Sequence, residues 1–283
     1  MSLLQMACMS LLAIFARTQE LHECSAVTNP YTVGSTEDAS TLATSLGCSN
    51  GAFVVQWVGE VIVEETIHVT DGTSVNITGA GSSAIADGQN ATQLFVVDRG
   101  SSLHFSDMTF AHGNGSFGGA ISAFDASVSF SGNVSFFSNS AGDDGGAVYA
   151  NSSTILSVGE GYHFRSNSAG GDGGAIYAYE STLSWSGDDT HFSSNSATAS
   201  GGAISMFESN VSWDGDDAQF MFNSAGYDGG FISNHAGDDG GAIYVDDSTT
   251  LHWDGDGTRF MNNSVSSSGG AVYVSESTVS WAG

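Results

Sequence analysis

The stretch "GGAIYAYESTLSWSGDDTHFSSNSATASGGAIS", Gly173–Ser205, opens and closes on Gly-Gly-Ala-Ile, 28 residues apart. Between the two phrases lie Trp185, Phe192 and Asn195, and each belongs to a longer series. Phe-x-x-Asn recurs at Phe136–Asn139, Phe164–Asn167, Phe192–Asn195, Phe220–Asn223 and Phe260–Asn263, and Gly-Gly follows every one of these phenylalanines by nine residues. Gly-Gly pairs start at Gly118, Gly145, Gly173, Gly201, Gly229, Gly240 and Gly269. A third column is read as Phe130, Val158, Trp185, Trp213, Trp253 and Trp281, spaced by 27 or 28 residues except for one step of 40. The long step coincides with a local duplication, "NSAGYDGGFIS" followed by "NHAGDDGGAIY". Tandem self-similarity of this period marks a solenoid, in which each repeat buries its apolar face against its neighbours.

One repeat per coil places equivalent residues about 4.8 Å apart along the axis. Phe then stacks on Phe, and Asn amides bond to the Asn above and below. Gly-Gly supplies positive φ at a corner where a Cβ would clash. Alternation sends Ile121, Val148, Ile176, Ile204, Ile232, Ile243 and Val272 inward, and Ser122, Tyr149, Tyr177, Ser205, Ser233, Tyr244 and Tyr273 outward. The ladder asparagines 139, 167, 195, 223 and 263 are not glycosylation sequons. The seven Asn-x-Ser/Thr sequons, at Asn76, Asn90, Asn114, Asn133, Asn151, Asn210 and Asn262, fall elsewhere. This separation fits an inward ladder and outward candidate glycosylation sites.

Upstream of the strict repeats, which begin near Phe110, a period of two holds from Gly51: Val61 and Val63, Ile67 and Val69, Val75 and Ile77 alternate with polar residues. Residues 35–46, "STEDASTLATSL", change period. Ala39, Leu42, Ala43 and Leu46 fall on one helical face, Ser35 is an N-cap with Asp38 three residues on, and Gly47 is a stop. The expected organisation is a signal-like apolar segment over 1–16, a cap with a short helix over 17–50, and a β-helix over 51–283. Of the three cysteines, Cys8 leaves with the signal, so Cys24 and Cys48 are the expected disulfide in an exported protein. The chain stops at "VSWAG", before the next Phe-x-x-Asn, and is expected to be incomplete or covered there; alone it is expected to self-associate end to end.

The formal net charge is −27, with no lysine and four arginines, Arg17, Arg99, Arg165 and Arg259. That excludes nucleic-acid binding, which needs cations to displace counterions from phosphate, and it disfavours anionic membranes and polyanions. No apolar run is long enough to cross a membrane as a helix.

GGA-[IV] in phase with F-x-x-N resembles the repeat of the chlamydial polymorphic outer-membrane proteins, over about Phe110 to Gly283. The resemblance implies an all-β, right-handed parallel β-helix of the pectin-lyase-like kind, as in autotransporter passengers, and an exported surface protein used in adhesion. Phe110 lacks its Asn, Gly229-Gly230 is followed by Phe231, and nothing resembles the bacterial C-terminal barrel.

Parallel β-helices also carry lyases, hydrolases and epimerases acting on polysaccharides, so the fold does not decide function. Pectin-type hydrolases use Gly-His-Gly and Arg-x-Lys, and neither occurs. The acid pairs Asp143–Asp144, Asp188–Asp189, Asp216–Asp217, Asp238–Asp239 and Asp246–Asp247 recur with the repeat, as turn residues do, whereas an active site is singular. Their columns also suit calcium, although the nine-residue calcium repeat is absent. His163 and His191 fall in one column but lack a third metal ligand. A flat threonine array for ice binding is not present. The expectation is a secreted or cell-surface protein without catalytic, cofactor or metal residues, acting as scaffold or adhesin toward a glycan or cell-surface protein. The alternative is a polysaccharide-active enzyme. The outer Tyr149, Tyr177, Tyr244 and Tyr273 are the candidate binding face, or else stack laterally and stabilise the sheet.

Overall fold

A computed structural model describes residues 29–46, 51–81, 83–225, 241–263 and 269–281. The signal-like segment 1–16, Cys24, Cys48, Gly47, Gly229, Ile232, Ser233 and Gly240 lie outside the described residues. The strands stack into an all-β parallel β-solenoid of about eight coils, with one short helix near the N-terminus. A representative coil runs Thr182–Asp188, His191–Ser193, Ser196–Ala197 and Ile204–Phe207. These segments belong respectively to a ten-stranded long sheet, an eight-stranded Phe sheet, a five-stranded Ser-Ala sheet and an eight-stranded Tyr sheet. Thr182 pairs with Asn210, His191 with Gln219, Ser196 with Ser224 and Ile204 with Ile243, all in parallel.

The aromatic columns explain why these short strands hold their register. Phe110, Phe136, Phe164, Phe192, Phe220 and Phe260 stack with centroids 4.6–5.0 Å apart and planes within 18°. Trp185, Trp213, Trp253 and Trp281 form a second stack at 4.5–5.2 Å, tilted against the first. Each buried ring contributes roughly 1.5–3 kcal/mol from burial and about 0.5–1.5 kcal/mol from its ring partner. A one-residue slip would turn every ring to solvent, so the stacks fix the register.

One expected member of the tryptophan column is corrected. Val158 pairs with Ser131 and Ser186 on the outer face and is 62% exposed. Ser157 holds the inward position between Phe130 and Trp185. The missing ring is supplied by Tyr162, fully buried, edge-on to Trp185 at 5.2 Å, with its hydroxyl donating to Val158 O at 2.7 Å.

The asparagines run beside the Phe stack. Asn195 Nδ2 donates to Phe164 O (3.0 Å) and to Asn223 Oδ1 (2.9 Å). Its Oδ1 accepts from Asn167 N (3.1 Å) and Asn167 Nδ2 (2.9 Å). Asn139 and Asn167 repeat this arrangement toward their neighbours, and Asn263 ends it half-buried, with Nδ2 on Phe220 O at 3.0 Å. In the coil that lacks an Asn, Gly113 takes the position and its N–H donates to Asn139 Oδ1 at 2.8 Å. The ladder satisfies backbone groups at a corner where the preceding residues, Ser138, Ser166, Ser194, Phe222 and Asn262, all have φ of 52–58°.

At the Gly-Gly corner the two glycines have different reasons. Gly145, Gly173 and Gly201 have φ of 63–67°. Gly146 and Gly174 lie so close to the next coil that a Cβ would sit 2.2 Å from the carbonyl oxygen of Gly174 and Gly202. The following Ala147, Ala175 and Ala203 are fully buried, as are Ile176 and Val148 next to them.

The helix, Thr36–Leu46, starts at the expected cap. Ser35 Oγ accepts from Asp38 N at 3.2 Å, and Asp38 Oδ2 accepts from Gly34 N at 3.1 Å. Ala39, Leu42 and Leu46 are buried, and the helix packs on strands Tyr31–Val33, Glu60–Ile62 and Ile67–Val69 of the first coils. Farther along, Asn210 pairs with Thr250 as directly as Thr182 pairs with Asn210, although the former are 40 residues apart and the latter 28. The extra length falls almost wholly between Ala225 and Ile243.

A candidate binding face on the Phe sheet

In six of the eight Phe-sheet strands a phenylalanine points inward, with Ala86 and Val61 in its place in the first two coils, so its two neighbours point out. The outward columns are Thr109, Ser135, His163, His191, Gln219 and Arg259 before the ring, and Ala111, Phe137, Arg165, Ser193, Met221 and Met261 after it. Over these six strands neither column contains a carboxylate, in a chain with 31 acids and four arginines; toward the N-terminus the columns continue through Ile85 and Asp87 to Glu60 and Ile62. Arg165 and Arg259 are exposed and have no ion pair among the described residues, whereas Arg99 pairs with Asp71 at 3.2 Å.

A cleft of about 360 Å³ opens on it, lined by Ser135, Phe136, Phe137, His163, Arg165, His191 and Ser193. The His163 and His191 rings meet edge to face at 5.1 Å. Burial, and secondarily the proximity of His191, holds His163 below the ordinary imidazole range, with Asp189 opposing, so its ring is neutral at pH 7. Phe137 is 39% exposed beside Arg165 one coil on, and its ring meets His112 at 5.6 Å. Phe222, half exposed on the adjoining corner, extends the apolar part of the strip. Sequence reading set His163 and His191 in one column and named Arg165 only as one of the four arginines. It missed Phe137, Ser135 and Ser193, whose only signal was their position beside an inward ring.

The outer tyrosines form stacked pairs rather than an open row. Tyr149 and Tyr177 lie parallel at 5.4 Å, and Tyr244 and Tyr273 at 5.3 Å. Tyr149 is only 7% exposed, because Phe117 and Phe124 cover it at 4.7 and 5.4 Å; Tyr177, Tyr244 and Tyr273 are half-buried. Ser205 interrupts the column between Tyr177 and Tyr244 and is itself buried, as is Ser122 beneath Phe117. Burial raises the Tyr177 and Tyr244 hydroxyls well above the usual phenol range, and Tyr244 donates to Asp246 Oδ2 at 2.6 Å.

The acids serve the turns between coils. Asp188 Oδ1 accepts from Asp216 N at 2.9 Å, Asp216 Oδ1 from Asp256 N at 2.8 Å, and Asp144 Oδ1 from Asp172 N at 2.8 Å. Among the described residues one group, Asp214, His252 and Asp254, brings three ligand atoms within 4.8 Å, all exposed, with Ser280 on His252 Nδ1 at 2.7 Å. Six of the seven sequon asparagines are exposed; Asn151 is half-buried, with Nδ2 on Tyr149 Oη at 3.3 Å.

No helix among the described residues is long and apolar enough to cross a membrane. The Chlamydia polymorphic membrane protein (Chlamydia_PMP) repeat matches residues 127–151, 163–179, 189–206, 231–246 and 257–275, about a third of the chain. Four of these matches contain both Phe-x-x-Asn and Gly-Gly, and the match at 231–246 carries only the Gly-Gly half. No curated protein and no solved structure gives a significant match. The chain is a parallel β-solenoid whose coils are similar to the Chlamydia polymorphic membrane protein repeat.

Proposed function

We propose that the chain is an exported, surface-displayed repeat protein that works by adhesion rather than catalysis, with the outer face of the Phe sheet as its contact surface. The observation that carries this reading is the coincidence, on one sheet, of the repeat-defining phenylalanines and a cleft bearing Arg165 and Phe137, within six strands whose outward residues include no carboxylate. The stacked core supplies a rigid scaffold, which spares the ordering cost that a flexible binding segment incurs. The partner class is a cell-surface glycan or protein.

The test is attachment of fluorescent beads carrying the full chain to cell monolayers. Met221→Asp and Met261→Asp add carboxylates to the proposed face. They are expected to reduce attachment, whereas Ser129→Asp on the long sheet leaves it unchanged. Equal loss from both faces, or no attachment by the parent protein, rejects the reading. Incubation with a panel of polysaccharides, reading reducing ends and unsaturated products, separates adhesion from catalysis.

A further inference from the structure

We infer that the cleft between Phe137 and Ser193 is a subsite for an acidic saccharide unit, a pyranose carrying a single carboxylate. This inference rests on the adhesive reading of the same face and names the ligand chemistry.

Phe137, Arg165 and Ser193 are register partners in successive coils, about 4.8 Å apart. The exposed ring of Phe137 offers an apolar platform for the C–H face of a sugar. One coil on, the Arg165 guanidinium presents a planar fork of donors, and no carboxylate of the described chain occupies it. Across the cleft the first outward column places the Ser135 hydroxyl and the His163 and His191 rings opposite these groups. A neutral imidazole offers one donor and one acceptor, which suits sugar hydroxyls. Ring platform, anion fork and hydroxyl partners thus lie within three coils.

The charge balance limits the ligand. With a net charge of −27, a densely charged polyanion is repelled, but a single carboxylate at Arg165 is screened from distant acids beyond about 8 Å at physiological salt. An acidic peptide fits less well. It brings several carboxylates on flexible stems and leaves the Phe137 platform and the serine hydroxyls without partners.

Titration calorimetry on the full chain in 0.15 M salt compares two β-1,4-linked tetrasaccharides that differ only at C6 of one ring, cellotetraose and its analogue in which one glucose is replaced by glucuronic acid. The glucuronate-bearing tetramer is expected to bind at least about tenfold more tightly than cellotetraose, the effect of one charge-assisted contact. Arg165→Gln should abolish that difference, and Arg165→Lys should keep part of it, because lysine retains the charge without the fork. Phe137→Ala should weaken the tetramer about tenfold while preserving its preference over cellotetraose. Both positions are exposed, so folding is unaffected, and far-ultraviolet circular dichroism checks this. Equal affinity for the two sugars, unchanged binding by Arg165→Gln, or competition by an oligoglutamate peptide at the tetramer's own affinity overturns the inference. Retained bead attachment in that event would leave adhesion standing and remove only the saccharide assignment.

Discussion

Asn195→Ala removes one amide from the middle of a buried ladder, and the structure shows which groups it strands. Phe164 O loses its donor from Nδ2. Asn167 N and one Asn167 Nδ2 proton lose their acceptor, Oδ1. Asn223 Oδ1 keeps the backbone N–H of residue 195 at 3.1 Å, so it is not orphaned. Two buried donors, Asn167 N and one Asn167 Nδ2 proton, are therefore unpaired, each costing about 1–3 kcal/mol, while Phe164 O keeps its ladder bond within the sheet. Water entering the space left by the amide recovers part of this, and a net loss of roughly 2–4 kcal/mol is expected. The comparison is Asn263→Ala at the half-buried end, where Oδ1 accepts only from Asn223 N at 3.3 Å and Nδ2 donates to Phe220 O. There water replaces both partners and the expected cost is about 1 kcal/mol. Because coils of a solenoid can open separately, native-state hydrogen exchange is the assay, read at the amides of residues 167 and 195. A loss of protection at residue 167 in Asn195→Ala no larger than that at residue 223 in Asn263→Ala would refute the reasoning.

Other expectations follow from single positions. Trp213 Nε1 is buried without a partner, whereas Trp185 and Trp253 donate to Thr190 and Thr258 at 2.9 and 3.1 Å. Ala218 holds the equivalent position, so Ala218→Thr should stabilise by about 1 kcal/mol in urea melts; unchanged or lower stability would show that the site has no room. Phe222 is an exposed phenylalanine at φ 55° where the other corners carry Ser, His or Asn. Phe222→Asn should relieve strain of about 1 kcal/mol, checked by the same melts, and a loss of stability would mean that the ring packs on something. Burial raises the Asp144 carboxyl above its usual range, so the folded state holds its proton to higher pH than the unfolded chain. Its contribution to stability is therefore greatest at low pH and falls as pH rises through the folded value. Asp144→Asn, which can keep the Oδ1 bond to Asp172 N, should raise the melting temperature at pH 7 relative to pH 3, and a larger gain at pH 3 would contradict the sign.

The repeat made the Phe and Asn columns legible, because stacking forces equivalent residues to share one environment, and a fixed period reveals them without any contact being known. The helix was legible for a local reason, the Ser35–Asp38 cap. Val158 was misplaced because hydrophobicity favoured it over Ser157, and a slip of one residue reverses the side of a strand. The compensating ring, Tyr162, comes from beyond the turn and carries no periodic signal. The covering of Tyr149 by Phe117 and Phe124 was hidden likewise, since alternation tells which way a side chain points and not what lies over it. The Phe-sheet cleft needs register: only the pairing of Phe137 with Arg165 and of His163 with His191 brings four separately unremarkable residues to one place.

The account depends on every coil advancing the stack by one strand spacing, whatever its length. Pulsed electron–electron resonance between nitroxides, attached through a ketone-bearing amino acid at the exposed positions Ser74, Asn210 and Thr250, measures this directly. Ser74 and Asn210 are five pairings apart on the long sheet, and Thr250 is one more. The expected separations are about 24 Å and about 29 Å, so the 40-residue step adds about 5 Å, no more than a 28-residue one. An increment near 10 Å would mean that residues 226–240 insert a coil of their own and that Asn210 and Thr250 are not neighbours, contradicting the stacked register on which the binding face is built.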